Sequence, residues 1–199
     1  MEGAAMTRSA TYERKTRETE VRVTIDLDGT GTATVATGIG MIDHLLTSFA
    51  LHAMFDLELT TIGDLEVDDH HTVEDSALVL GRAIAEALGD RAGIVRFADA
   101  TVPMDEAVAR AVIDAGGRPY AVVDMALTTD RIGGITSQNV PHALEAFAIN
   151  AGITMHIEAS GRNDHHAAEA AFKALAIAMR QAVAIDPRRI GIPSTKGPM

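Results

Sequence analysis

The sequence contains no cysteine. Without thiols the chain forms no disulfide and offers no thiolate, so any metal site must be built from His, Asp or Glu side chains. Tryptophan is also absent, and aromatic residues make up only 4% of the chain. Alanine and glycine are abundant instead, and such chains pack their elements closely and often gain further burial by forming oligomers.

Two further absences restrict the class of protein. No apolar run is long enough to span a bilayer, and the segment 1–17 has no apolar signal core, which predicts a cytoplasmic protein. The formal net charge is −11, whereas a general nucleic-acid binder needs a basic face, so neither a membrane nor a nucleic acid is expected as a partner. An anionic small substrate is compatible with this charge, because a few well-placed Arg and Lys side chains can bind it locally.

An internal repeat is the main positive feature of the sequence. The segment His70-His71-Thr72-Val73-Glu74 recurs 95 residues later as His165-His166-Ala167-Ala168-Glu169. A lone His before an apolar pair occurs as Asp43-His44-Leu45-Leu46 and, 98 residues later, as Pro141-His142-Ala143-Leu144. Upstream, the segment from Glu18 to Gly29 lines up with that from Glu106 to Gly117 at an offset of 88.

Three matches in the same order predict a duplicated chain. The predicted parts are a first half over 8–92, a second half over 93–191 and a C-terminal substrate-binding tail over 192–199, which act as one functional unit.

The predicted elements follow the same order in both halves. Alternation in Val21–Leu27 predicts a strand, and Asp28-Gly29 predicts a hairpin to a partner strand over 32–37. The other predicted elements of the first half are a helix over 42–53, a strand over 55–61 and a long helix capped by Asp68, Asp69 or His70. Those of the second half are strands over 107–114 and 120–126, a helix over 142–151, a strand over 153–159 and a helix over 164–184. The order strand-strand-helix-strand-helix occurs twice. It predicts an α/β (α+β) protein whose sheets are covered by helices.

The duplicated His-His-x-x-Glu element predicts a metal centre. Residues i, i+3 and i+4 of a helix share a face, so each Glu lies beside its His pair, while adjacent His residues point about 100° apart. Each pair can therefore bridge two metals, with the lone His completing the set. The predicted ligands, four for each of two metals, are His44, His70, His71, Glu74, His142, His165, His166 and Glu169. Imidazole and carboxylate without sulfur suit Mn, Fe, Co or Zn.

Other interpretations of the histidines are less favoured. His52 and His156 have no repeat partner, and a lone His is usually a surface or capping residue. A ferritin-like carboxylate protein uses Glu-x-x-His within a four-helix bundle, but here the order is reversed and strands separate the helices.

Short motifs in fixed order extend from about Arg14 to Gly197. They are Glu18-Thr19, Asp28–Gly31, Thr37-Gly38, Asp43–Leu46, Asp69–Asp75, Gly117–Tyr120, Gly161–His166, Phe172–Ala174 and Ser194–Gly197. In this order they resemble the imidazoleglycerol-phosphate dehydratase family, in a monofunctional form. The chain departs from that family at Met41-Ile42 and Ala143-Leu144, where aromatic residues are common beside the lone His.

The resemblance implies a fold similar to the ribosomal protein S5 domain 2-like fold. It also implies two Mn²⁺ per active site, which bind the substrate imidazole as imidazolate, and a homo-oligomer of twenty-four chains with active sites between subunits. Phosphate binding is implied for Arg96, Arg118, Ser194 and Lys196, residue types that donate well to phosphate oxygens. For Arg96 a surface salt bridge is the alternative.

The implied reaction is dehydration of D-erythro-imidazole-glycerol phosphate to imidazole-acetol phosphate in histidine biosynthesis. The base must be a carboxylate, and Glu18 and Glu169 are the candidates. Glu18 lies outside the His clusters and is favoured for direct proton transfer or contact with the substrate hydroxyl. The alternatives are a two-metal phosphate-ester hydrolase, which would release phosphate, and a non-catalytic metal-binding assembly, which would turn nothing over.

Overall fold

Two four-stranded sheets form the framework of this computed structural model, which describes residues 8–195. The elements of the first half are β1 (Ser9–Lys15), β2 (Thr19–Asp26), β3 (Ala33–Ala36), α1 (Gly40–Ala53), β4 (Asp56–Gly63) and α2 (His70–Leu88). The elements of the second half are β5 (Phe97–Met104), β6 (Ala107–Asp114), β7 (Tyr120–Met125), β8 (Arg131–Ile132), β9 (Ile135–Thr136), α3 (Asn139–Ala151), β10 (Thr154–Ser160) and α4 (Asp164–Ala182).

Both sheets have the same topology, which confirms the predicted duplication and fold class. Their strand orders are β1-β2-β4-β3 and β5-β6-β10-β7, with the last pair parallel and the others antiparallel. The structure adds one strand, β1 or β5, at the start of each predicted half, and the small β8-β9 hairpin before α3.

The helices lie between the two sheets. Helices α1 and α2 cover the first sheet, α3 and α4 cover the second, and the two helical layers meet as the pairs α1·α4 and α2·α3. Gly81 allows the second pair to pack closely, because a Cβ there would come within 2.5 Å of the Phe147 carbonyl oxygen. Each helix pair combines one helix of each half, so side chains of both halves meet at its ends. In the described part of the chain, no helix is both long and apolar enough to cross a membrane.

The predicted hairpin after Asp28-Gly29 is wrong. β3 pairs in parallel with β4, and β4 pairs with β2. β4 therefore lies between β2 and β3, the two strands of the predicted hairpin. Asp56 explains the difference, because its Oδ1 accepts the backbone N–H groups of Thr30 at 2.8 Å and Thr32 at 2.9 Å. A Cβ at Gly29 would overlap with the backbone of Asp56. The turn therefore leads to the start of β4 instead of folding back on β2.

Candidate metal centre

One cluster of potential ligands joins α1 to the first two turns of α4. It contains His44 from the first half and His165 and Glu169 from the second, with their ligand atoms all within 4.8 Å of one another. Oε2 of Glu169 lies 3.2 Å from Nε2 of His44 and 3.3 Å from Nε2 of His165. We call this group cluster A.

A second cluster joins the first two turns of α2 to α3. It contains His70 and Glu74 from the first half and His142 from the second, again with ligand atoms within 4.8 Å. The Nε2 atoms of His142 and His70 lie 3.2 and 3.7 Å from the Glu74 carboxylate, and the two rings stack with their centroids 5.0 Å apart. We call this group cluster B. The duplication thus produces two clusters, each built from both halves.

The remaining two predicted ligands, His71 and His166, belong to neither cluster within the described chain. Nδ1 of His71 lies 3.0 Å from Asp64, and Nδ1 of His166 lies 2.8 Å from Glu106. Within each His-His pair the rings are nearly perpendicular, at 76° and 85°. The two imidazoles of each pair therefore point in different directions, as the helical spacing predicts.

Carboxylates raise the pKa of these two outer histidines. The Asp64 hydrogen bond raises the pKa of His71, and the Glu106 hydrogen bond likewise raises the pKa of His166. The same contact lowers the pKa of Glu106 to about 2. Sequence reasoning missed Asp64 and Glu106 as members of the centre, although Glu106 is the repeat counterpart of Glu18 and could have been found from it.

The two clusters differ in their electrostatics. In cluster A, the Glu169 side chain is 9% exposed and its Oε1 lies 2.7 Å from Nζ of Lys173, one turn along α4. Burial raises the pKa of Glu169, but hydrogen bonds from Lys173 and His44 outweigh it and lower the pKa to about 2. In cluster B, the Glu74 side chain is 36% exposed, and the position one turn along α2 is Leu78. Lys173 is a third residue that sequence reasoning missed as part of the centre.

The donor atoms of both clusters fit a divalent metal. Each set is two imidazole nitrogens and a carboxylate, the ligand types that first-row divalent ions accept without sulfur. Nε2 of His142 is buried and has no hydrogen-bond partner among the described residues, although it is directed at Glu74. A buried polar atom without a partner is costly, and a bound cation would satisfy it.

Buried aspartates hold the starts of the two ligand helices against one segment, residues 126–138, which includes the β8-β9 hairpin. Asp69 accepts the backbone N–H and the hydroxyl of Thr136, each at 2.6 Å. Asp164 accepts the backbone N–H groups of Thr128 at 2.8 Å and Thr129 at 2.6 Å. Burial raises the pKa of both carboxyls, but these hydrogen bonds lower it below the ordinary value. Asp68, Asp69 and His70 were the predicted caps of α2. Among them, the Asp68 side chain accepts the backbone N–H of His70 at 2.7 Å.

Two of the four predicted phosphate-binding residues line one cavity. Arg96 and Ser194 border a space of about 130 Å³ beside the Gly116-Gly117 turn. Arg96 donates two hydrogen bonds to Asp114, at 2.7 and 3.0 Å, and another to the Pro193 carbonyl oxygen. Arg96 therefore does form a salt bridge, but it is mostly buried instead of at the surface, since the two side chains are 14% and 16% exposed. That hydrogen bond to Asp114 raises the pKa of Arg96.

The other predicted residues are distributed around the centre. Arg118 follows the Gly116-Gly117 turn and is exposed, and Lys196 lies outside the described residues. Glu18 is 55% exposed, with Oε2 3.9 Å from Nε2 of His71. His156 is exposed, whereas His52 is half-buried, and burial followed by the charge of Lys173 lowers its pKa.

The comparisons with known proteins agree on one family. A family model described as imidazoleglycerol-phosphate dehydratase matches residues 37–179. The chain is 50% identical to the Zymomonas mobilis protein of that name, covering 96% of this chain and 99% of the relative. It is 52% identical to the protein of that name from Methylorubrum extorquens, covering 96% and 98%.

Solved structures give the same result. The crystal structure of the Staphylococcus aureus imidazoleglycerol-phosphate dehydratase aligns with a TM-score of 0.79 at 32% identity, covering 89% of this chain and 99% of that one. The Pyrococcus furiosus enzyme aligns with a TM-score of 0.80 at 34% identity, covering 94% and 99%. The chain therefore belongs to the imidazoleglycerol-phosphate dehydratase family and is an enzyme of the hydro-lyase class.

Proposed function

We propose that this chain dehydrates D-erythro-imidazole-glycerol phosphate to imidazole-acetol phosphate, as a cytoplasmic enzyme of histidine biosynthesis. The observation that carries the proposal is the pair of clusters A and B, each with two imidazoles and a carboxylate drawn from both halves. Names of relatives about 50% identical over nearly the whole chain support the same substrate. An imidazole substrate has two ring nitrogens, which matches a centre with two metal positions.

Two Mn²⁺ per active site are proposed, with His71 and His166 as the fourth ligand of each. Within one chain each cluster supplies three ligands, while His71 and His166 point elsewhere with Nδ1 held by a carboxylate. A neighbouring copy of the chain would bring their Nε2 atoms to the open side of a cluster. This arrangement supports a homo-oligomer, and by family resemblance one of twenty-four chains.

The residues of this chain divide the chemistry among them. When bound, the metals supply Lewis acidity to the substrate imidazole. Glu18 is the favoured base, because its carboxylate is exposed beside His71 and belongs to neither cluster. Glu169 is less suited, because one of its oxygens faces Lys173 and the other faces His44 and His165. A general base must be free to accept the substrate proton at hydrogen-bond distance.

The phosphate is assigned to Arg96, Arg118, Ser194 and Lys196. The cavity beside the Gly116-Gly117 turn supports this assignment, since Arg96 and Ser194 line it and the exposed Arg118 directly follows that turn. Arg91 connects the start of the same turn to the end of α3, because it donates to the carbonyl oxygens of Ala115 at 2.9 Å and Ala151 at 2.7 Å. Binding energy from a phosphate held away from the reacting carbons can be used to orient them.

One assay tests the function. Mn-loaded protein is incubated with the substrate, and the enolisable ketone product and free phosphate are both measured. We expect the ketone phosphate without phosphate release. Release of inorganic phosphate would instead indicate a two-metal hydrolase, and metal binding without turnover would indicate a non-catalytic assembly.

A further inference from the structure

Asn139, the first residue of α3, lies between a buried carboxylate and a cluster B imidazole. Its side chain is nearly inaccessible, with the residue 3% exposed. Its Nδ2 donates to Oδ2 of Asp69 at 3.1 Å, and its Oδ1 lies 3.2 Å from Nδ1 of His70. The amide therefore connects Asp69 and His70, which are adjacent in sequence but face it from different sides.

The chemistry of the three groups determines which atom carries each proton. A carboxylate only accepts hydrogen bonds, so the NH₂ group of Asn139 must face Asp69 and its carbonyl oxygen must face His70. An amide oxygen also only accepts, so Nδ1 of His70 must be the donor. A neutral imidazole protonated at Nδ1 has its lone pair at Nε2. Nε2 is the atom of His70 directed at Glu74, within cluster B.

We infer that Asn139 is a positioning residue that holds His70 in the Nδ1–H tautomer, so that Nε2 is available to a metal in cluster B. The inference rests on the proposed role of His70 as a ligand. Side chains that receive the second N–H of a ligating imidazole orient the ring, and their loss commonly weakens metal binding about 10- to 100-fold.

The repeat provides an internal comparison. At the offset of 98 that relates His44 to His142, the counterpart of Asn139 is Met41, whose side chain cannot replace the amide. Correspondingly, Nδ1 of His165 in cluster A has no side-chain hydrogen-bond partner among residues 8–195. Asn139 therefore acts on one cluster of the two, and its loss should affect one metal equivalent.

The test replaces Asn139 with the residue of the other half, Asn139→Met, in the full-length chain. Competition between the protein and a calibrated chelator measures the affinity of each Mn²⁺ equivalent. We expect one equivalent to bind about 10-fold more weakly than in the wild type and the other to be unchanged. The matched control is Asn150→Met. Asn150 lies on the same helix, and within residues 8–195 its side chain donates only to the Ala146 carbonyl oxygen, so this variant should leave both equivalents unchanged. Unchanged affinity of both equivalents in Asn139→Met would overturn the inference.

A second measurement does not depend on metal binding or on the folding of Asn139→Met. Long-range ¹H–¹⁵N spectra of metal-free wild-type protein labelled with ¹⁵N-histidine report the tautomer of His70, identified by its absence from His70→Gln. We expect the proton on Nδ1 of His70, and a proton on Nε2 would contradict the inference. If the wild type binds no Mn²⁺, the proposed function fails, yet this spectrum still decides whether His70 has the Nδ1–H tautomer that its contact with Asn139 requires.

Discussion

Glu18 is the single residue on which the proposed proton transfer depends. In Glu18→Gln the side chain keeps its shape but loses its basicity, so we expect kcat to fall by about 10²- to 10⁴-fold with little change in substrate binding. Steady-state kinetics and a substrate-binding titration measure the two effects separately. The control is Glu20→Gln, two residues further along the chain in β2, where the carboxylate pairs with Lys15 at the surface. Near wild-type turnover in Glu18→Gln would make Glu169 the leading candidate.

Arg118 separates substrate binding from metal binding. Arg118→Ala should raise KM strongly and lower kcat/KM by about 2–4 kcal/mol, because it removes a charge-assisted phosphate contact. Metal content should stay at the wild-type level, since Arg118 belongs to neither cluster. Kinetics with elemental analysis of the same samples checks both parts. Arg110→Ala, an exposed arginine of β6, is the control and should leave KM unchanged. A loss of metal in Arg118→Ala would contradict this division of roles.

At the residue scale, the sequence predicts contacts within one helix better than contacts between residues of different elements. Helical spacing places His70 beside Glu74, and the repeat then predicts the equivalent pair His165 and Glu169. The contact between Asp64 and Nδ1 of His71 depends on the tertiary fold, so no local sequence pattern predicts it. Lys173 was likewise missed, because nothing in the spacing distinguishes an i+4 lysine that is half-buried against Glu169 from an ordinary surface lysine.

At the scale of elements, the sequence predicts strands better than it predicts their partners. β2 and β6 alternate regularly because they lie inside their sheets with one buried face, and both were predicted. The edge strands β1 and β5 were missed, since their exposed side chains give a weak alternation, and β5 also contains Pro103. The hairpin prediction failed because a long-range acceptor, Asp56, directs the chain after Gly29.

Asp56 should therefore contribute to stability in a pH-dependent way. Hydrogen bonds from the N–H groups of Thr30 and Thr32 lower its pKa. A carboxyl whose folded-state pKa is depressed adds stability above its unfolded pKa of about 3.9, and this is lost as the pH falls through the folded value. Asp56→Ala should lower the urea midpoint at pH 7, and the difference from wild type should shrink below about pH 4. Glu58→Ala, exposed on the same strand, should show neither effect. A difference that is constant with pH would refute this role.

For the whole molecule, the duplication predicts a metal stoichiometry. Two clusters per chain should hold two Mn²⁺, and elemental analysis of protein loaded with Mn²⁺ and desalted should give about two equivalents. His71→Ala should lower the stoichiometry or the affinity, because His71 is a proposed ligand. His52→Ala should change neither, since His52 belongs to neither cluster. One equivalent or none in the wild type would reject the two-site model.

Metal binding and assembly should be coupled across the whole molecule. His71 and His166 lie outside the clusters of their own chain, so under the proposed ligand assignment a second copy would complete each site. A metal that binds only the assembled form stabilises that form by mass action. Complete removal of metal by a chelator should therefore shift the sedimentation profile towards smaller species, and added Mn²⁺ should restore the large one. His71→Ala should remain in the smaller form at Mn²⁺ concentrations that assemble His52→Ala. A profile that stays unchanged after elemental analysis confirms metal removal would show that these sites do not bridge subunits.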